Sequence, residues 1–445
     1  MGAAALGVAS EARAAARPNI IFILADDLGY GDLASYGAPD MRTPHIDGLM
    51  SRGMRFNAAY ANCPVCSPTR AALMTGLYPD MAGVPGVIRT NDRDNFGYLD
   101  PNAVTMPEVL RESGYHTALV GKWHLGLDSP NKPNERGFDF FHGFLGDMMD
   151  DYYNHRRHGN NYMRKNDEVI EPEGHATDLF SDWSADYIRG RADEDDPFFL
   201  YLAYNAPHTP VQPPEDWTQK VLDREPGIAN DRAKLVALIE HMDDGIGRVL
   251  NALDESGQAE NTLIVFTSDN GGYLRVGARN APWNNGKGTM FEGGIRVPTC
   301  AVWPGRIAPG TQSEAVTMTM DWFPTFCAAT GAATTDGLNG ASILPVLESD
   351  AVDIGERTLV WVRREGNKFG GQEFYAIRRG RWKLLQNTPF EPLRLYDLED
   401  DPGEQNALPK SHEMYKKLFA ELRNHVIRAG VVPWSPPDIQ PEIAT

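Results

Sequence analysis

The sequence predicts an α/β protein: a mostly parallel sheet sandwiched by helices, followed by a small C-terminal domain with an antiparallel sheet and one helix. Three observations carry this. Short runs of β-branched and aromatic residues alternate with helical patterns through most of the chain. After about Gly340 the runs shorten, follow one another directly and end in a single amphipathic helix. Hydrophobic residues make up 42% of the 445, enough for one large core and a second, smaller one.

The elements follow in order. Residues 1–17, MGAAALGVASEARAAAR, read as a leader, either the remnant of a secretory signal with a small-residue cleavage site near Ala14 to Ala16 or a disordered tail. Residues 18–340 form the large domain, with strands at NIIFIL (19–24), HTALVG (116–121), FFLYLAY (198–204), TLIVFTS (262–268) and TCAVW (299–303). Between the third and fourth, Leu235, Leu238, Ile239, Met242, Ile246, Val249, Leu250 and Leu253 recur on one helical face, and Gly257 supplies the stop. His241 and Asp243 read as face residues of that helix. Residues 341–445 hold RTLVWVRR, EFYAIRRGRWKLL and RLYDL as short strands, then EMYKKLFAELRNHVIRAG as the helix. No later segment is long and apolar enough to cross a bilayer, so the mature protein is expected to be soluble, and the leader read as a signal remnant makes it periplasmic or secreted.

The net charge of −19 argues against nucleic acid as a general partner, because phosphate backbones need a basic face. An anionic substrate would have to be held by local cations or a metal. Four cysteines are too few for a disulfide scaffold, and no second C-x-x-C completes a thiolate zinc site around Cys63 and Cys66. A thioredoxin-like pair would need a βαβ setting that this Pro-containing segment lacks.

In open α/β sheets ligands sit beyond the carboxyl ends of the strands. There the sequence is coherently polar: Asp26-Asp27 follow the first strand, Lys122 and His124 the second, Asn205 and His208 the third, Asp269-Asn270 the fourth. Asp26, Asp27, Asp269 and Asn270 together make a hard oxygen set suited to Ca2+ or Mg2+. SPTRAALMTG reads as a helix with Pro68 in its first turn, which places Cys66 at the positive end of the dipole, where a thiol's pKa is expected to fall. Arg70 lies one turn on.

Cys66-Ser67-Pro68-Thr69-Arg70, continued by Ala71-Ala72-Leu73-Met74-Thr75-Gly76, resembles the type I sulfatase signature C-x-P-x-R-x-x-x-x-T-G. GKWHLG (121–126), SDNGG (268–272), NNGKGTMFEGGIRVP (284–298) and LYDLEDDPGEQNAL (395–408) resemble the family's other blocks, in its order and from Pro18 onward. The resemblance implies an alkaline phosphatase-like fold and a sulfuric ester hydrolase. It implies that Cys66 is converted by a maturation enzyme to formylglycine, whose hydrate is the nucleophile, and that one Ca2+ ion, in preference to Mg2+, is bound by Asp26, Asp27, Asp269, Asn270 and the modified Cys66. Arg70 and Lys122 then match residues that stabilise the nucleophile, Lys287 one that contacts the sulfate, His208 the general acid, and His124 the base that releases sulfate. The sequence departs from many relatives at Asp80-Met81, where they carry a basic pair, so substrate contacts do not transfer from that loop.

The segment GDMMDDYYNHRRHGNNYMRK (146–165) interleaves cations with tyrosines, and Arg156, Arg157 and His158 are its candidate contacts to a sulfated carbohydrate. The alternative for that segment is a solvated loop whose cations compensate local acids. For the whole chain the alternatives are a phosphonate or phosphate ester hydrolase of the same superfamily and a catalytically silent carbohydrate-binding protein.

Overall fold

The computed structural model describes residues 17–91, 94–349, 354–365 and 373–436. Residues 1–16 of the leader lie outside these. A ten-stranded sheet runs in the order Thr311–Ser313, Met54–Phe56, Thr299–Val302, Thr262–Ser268, Asn19–Ala25, Phe198–Ala203, His116–Lys122, Phe140–Phe144, Met163–Lys165, Glu168–Val169. The strands from Thr262–Ser268 to Phe140–Phe144 are mutually parallel, as expected for strands buried on both faces. The predicted strand at 299–302 is present but antiparallel to its neighbour. The strand Phe140–Phe144 escapes the sequence pattern because His142 and Gly143 interrupt its apolar run.

Period-two alternation divides the core. Ile21 and Ile23 face one layer with Leu235, Leu238, Ile239, Met242, Ile246 and Val249 of the helix Asn230–Glu255. Ile20, Phe22 and Leu24 face the other, with Leu73, Met74, Trp322, Phe323 and Phe326. Each such side chain contributes roughly 1.5–3 kcal/mol by leaving water. The long helix ends at Glu255, and Gly257 adopts φ 69°.

Ile343, Val346 and Leu347 still pack in the large core, beyond the sequence's change of texture at 340. The second sheet, antiparallel, comprises Thr358–Arg364, Glu373–Arg379, Trp382–Gln386 and Arg394–Asp397. Val360, Val362, Ile377 and Leu384 cover Leu418 and Leu422 of the helix Glu413–Ala429. Leu359, Trp361, Ala376 and Leu385 face the large domain, against Tyr60, Ala72 and Met290. At this joint the buried Lys383 ammonium lies 2.8 Å from each of Glu292 and Glu404. The small sheet is thereby fixed beside the carboxyl ends of the large one.

Candidate active site

Register brings the site together. Ala25 pairs with Ser268, Leu24 with Ala203, and Ala203 with Gly121, so Asp26 and Asp269 leave their strands at one level, with Tyr204 and Lys122 one residue behind. Gly121 has to be glycine there: φ is 108°, and a Cβ would lie 2.0 Å from the Ala203 carbonyl oxygen. Asp27 and His124 hold left-handed backbone, φ 71° and 61°, at a cost of about 1–2 kcal/mol each. Strain of this kind persists where surrounding structure over-determines it.

Cys66 opens the helix Cys66–Thr75, every residue of which is buried. Its sulfur lies 3.2 Å from Asp26 Oδ1, 4.0 Å from Asp27 Oδ1 and 3.8 Å from Lys287 Nζ. The helix-end expectation for its thiol is reversed: burial, then the charges of Asp26 and Asp269, push its pKa well above the usual range. As an unmodified thiol Cys66 is therefore a poor nucleophile at neutral pH. Cys63 is also a free, buried thiol, and its S–H donates to the Val362 carbonyl at 3.5 Å.

Three buried carboxylates face three cations. Lys122 Nζ is 2.5 Å from Asp26 Oδ2, Lys287 Nζ is 2.6 Å from Asp27 Oδ1, and Arg70 donates to Asp269 Oδ2 from Nε and a terminal nitrogen. Burial opposes charge on Asp26, but Lys122, His208 and Arg70 outweigh it and hold its pKa well below the carboxylate range. Burial and the neighbouring Asp26 push Asp269 up to about 7. Asn270 donates to Asp27 Oδ1 at 2.8 Å, while its own Oδ1 is buried without a protein partner. An all-oxygen set with crowded carboxylates and one orphaned amide oxygen fits a hard divalent cation. Ligand atoms of Asp26, Asp27, Cys66 and His208 lie within 4.8 Å of one another.

The two histidines differ in which nitrogen is committed. His124 Nε2 pairs with the Ile88 carbonyl at 2.8 Å, leaving Nδ1 buried and without a protein partner. Burial, with Lys122 and Arg70 nearby, holds His124 well below its ordinary pKa, so Nδ1 is a lone pair ready to accept a proton. His208 Nδ1 pairs with the Thr209 carbonyl at 2.7 Å, and Nε2 stands 3.6 Å from Asp27 Oδ2. Burial and the charge of Lys287 lower its pKa as well.

The Sulfatase family profile matches residues 18–332. This chain belongs to the sulfatase family. The profile for the C-terminal part of N-sulphoglucosamine sulphohydrolase matches residues 283–430. The sulfatase is 33% identical over 408 residues to N-acetylgalactosamine-6-sulfatase of Canis lupus familiaris, covering 86% of this chain and 74% of that one. It is 30% identical to arylsulfatase A of Homo sapiens over 456 residues, 91% of this chain and 85% of the other. The solved structure of Ps i-CgsB in complex with k-i-k-neocarrahexaose superposes with a TM-score of 0.84 at 34% identity, covering 92% of both chains. The predicted fold class and the sulfuric ester hydrolase assignment both stand.

In this sulfatase a cavity of about 400 Å³ opens over Cys66, His124, His208 and Lys287. Its walls add Arg89, Asp147, Met148, Tyr273 and Arg363, which sequence reasoning missed. No motif marks them: Arg89 lies in a loop, and Arg363 is the penultimate residue of the strand Thr358–Arg364 in the second sheet. Arg156, Arg157 and His158 are not among the lining residues. Arg157 holds Asp147 at 2.9 and 3.2 Å and Asp150 at 2.8 Å, Arg156 pairs with Glu171, and His158 Nδ1 is 3.4 Å from Thr90 Oγ1. The segment reaches the cavity through Asp147 and Met148 instead. His241 pairs with Asp178, and Asp243 accepts from the His45 and Ile46 backbone, so neither enters the site. Asp80, at the departure from the family pattern, is buried against His425.

Proposed function

We propose that this sulfatase removes O-sulfate groups from a sulfated oligosaccharide or polysaccharide, with Cys66 matured to formylglycine and one Ca2+ bound. The observation that carries the reading is Cys66 itself. Its sulfur sits at the floor of the cavity, 3.2 Å from Asp26 Oδ1 and 3.8 Å from Lys287 Nζ, where burial disables it as a thiol. The carbohydrate follows from the names of the relatives, which act on N-acetylgalactosamine sulfate or bind a neocarrahexaose.

Asp26, Asp27, Asp269 and Asn270 are the residues that would hold Ca2+, which supplies fixed positive charge for the sulfate and for the nucleophile's oxygen. Formylglycine at position 66 supplies a hydrated aldehyde as nucleophile. The remaining work falls to other side chains. Lys287 Nζ, at the cavity wall, fixes a cation against the spread negative charge of the sulfuryl oxygens. Lys122 and Arg70 hold Asp26 and Asp269 in place, which fixes the oxygens of the ion site without consuming the cavity. His208 acts from its imidazolium form: Nδ1–H to Thr209 orients the ring, and a second proton on Nε2, favoured by Asp27 3.6 Å away and by the incoming anion against the effect of burial, passes to the departing sugar oxygen. His124 Nδ1 accepts the proton whose removal frees sulfate, its ring fixed by Ile88.

The test is the mass of the peptide spanning Cys66 from protein made in a host with a maturation enzyme, paired with sulfate release from defined 2-O-, 4-O- and 6-O-sulfated sugars. A thiol-to-aldehyde mass loss with release from one of these sugars is expected. Cys66 found wholly as thiol, beside a control sulfatase converted in the same cells, would overturn the reading. A periplasmic or secreted setting accords with this substrate class, and among the described residues no helix is long and apolar enough to cross a membrane.

A further inference from the structure

Two arginines of the cavity come from opposite ends of the chain and meet on one carboxylate. Arg89 donates to Glu365 Oε2 at 2.9 Å and Arg363 Nε to Glu365 Oε1 at 3.1 Å. Glu365 is buried. One buried carboxylate orients both guanidiniums, each on its own oxygen. Arg363 is further fixed by a terminal nitrogen 2.6 Å from the Gly288 carbonyl and by its guanidinium 4.7 Å over the Phe374 ring. The Arg364 N–H donates to the Pro85 carbonyl at 2.7 Å, binding the Arg89 loop to the second sheet.

Both guanidiniums stand immediately beside the chemistry. Arg363 bonds to Gly288, the neighbour of Lys287, and Arg89 follows Ile88, whose carbonyl holds His124. Their side chains keep 12% and 19% exposure and line the cavity, whereas the carboxylate between them keeps 1%. A clamp serving only to join the two domains would have no reason to face the cavity. Among the described lining residues the only carboxylate is Asp147, which is held by two nitrogens of Arg157 and so does not oppose an incoming anion with its full charge.

We propose that Arg89 and Arg363 form a subsite for a second anionic group of the substrate, a sulfate or a carboxylate close to the ester being cleaved, so that this enzyme prefers multiply charged sugars to singly sulfated ones. The inference rests on reading the cavity as a sulfate-ester site. Glu365 is a positioning residue: it preorganises the fork that a tetrahedral or planar oxyanion meets with paired N–H donors. This differs from placing the neighbouring sulfate on Arg156 and Arg157, whose charges are spent on Glu171, Asp147 and Asp150.

The test is calorimetric binding to the Cys66→Ala protein, which cannot turn ligand over. The ligands are N-acetylgalactosamine 4,6-disulfate, the 4- and 6-monosulfates, and the 6-sulfated sugar linked to glucuronate with and without its carboxyl group. The same series is repeated on Arg89→Gln and Arg363→Gln, made singly so that Glu365 keeps one arginine, and on Arg363→Lys. The second anion is expected to tighten binding about 10- to 100-fold. Each Gln variant should erase most of that gain, Arg363→Lys should keep part of it, and added salt should shrink it. The disulfate and glucuronate ligands show which anion the subsite takes. Equal affinity for singly and doubly charged sugars, binding of neither, or a gain that survives both Gln substitutions would overturn the proposal. Release of 4-nitrophenol from 4-nitrophenyl sulfate by the matured enzyme tests hydrolysis separately. Failure there with the binding preference intact would refute the chemistry and leave the subsite standing.

Discussion

Arg70 grips Asp269 through a single carboxylate oxygen, with Nε 3.1 Å and a terminal nitrogen 2.8 Å from Oδ2. The other terminal nitrogen donates to the Lys122 carbonyl at 3.2 Å, so one fully buried guanidinium ties two strand ends together. Arg70→Ala leaves a buried carboxylate without its partner and should cost about 3–5 kcal/mol of stability. Arg70→Lys keeps the charge but not the fork, and should lower kcat about 10²- to 10³-fold with a smaller stability loss. Thermal melts beside sulfate-release rates check both. A fully active Lys variant would show that charge alone suffices.

His208 should matter in proportion to how poor the leaving group is. In the proposed mechanism its Nε2 serves the departing oxygen, and a sugar alkoxide needs a proton far more than a nitrophenolate does. His208→Ala is expected to slow a sugar sulfate about 10²- to 10⁴-fold and 4-nitrophenyl sulfate much less. Equal losses on the two substrates would remove the general-acid role.

With Ca2+ bound as proposed, chelation should silence the enzyme. Without a cation, Asp26, Asp27 and Asp269 are crowded together and burial drives Asp269 towards protonation. EGTA treatment is expected to abolish turnover, and Ca2+ to restore it. Ca2+ at a hundred times its dissociation constant should stabilise the fold by about 2.7 kcal/mol, read as a rise in Tm. No Tm response to Ca2+ or Mg2+ would argue that the cations of the site already balance its acids.

Asp243 supplies a pH dependence of stability remote from catalysis. Burial, opposed by the N–H groups of Ile46 and His45, lifts its carboxyl to about 7 from 3.8. Between about pH 4 and 7 the folded state therefore holds a proton that the unfolded chain has lost, so stability falls as pH rises through that window. The loss is up to about 4 kcal/mol, fully developed only above the folded pKa. Asp243→Asn should flatten this slope in denaturant titrations at stepped pH. Parallel slopes for the two proteins would exclude Asp243 as their source.

Asp26-Asp27, His124, His208 and Asp269-Asn270 were legible because they lie one to five residues beyond strands whose apolar runs announce themselves, as after NIIFILA, whereas Cys66, Arg70 and Lys287 were legible only through their motifs. Fold rules then place such residues at a common edge, and the register Ala25 to Ser268 does so here. The thiol of Cys66 was misread because helix position is local information, while the charges of Asp26 and Asp269 that raise its pKa arrive from distant strands. Arg156 and Arg157 failed to reach the cavity for a related reason: composition shows the cations but not Glu171, Asp147 and Asp150, which take them up.

The sequence by itself determined the layered α/β architecture, the antiparallel C-terminal unit and the set of polar groups at the strand ends, because hydrophobic periodicity and short motifs are written along the chain. Only the tertiary structure decided which nitrogen of each histidine is committed, how the buried charges pair, and that Arg89 and Arg363 meet on Glu365 at the cavity wall. Burial and electrostatic pairing act through space at distances of a few ångströms. Arg89 lies 276 positions from the carboxylate it shares with Arg363, and no local pattern records that they meet.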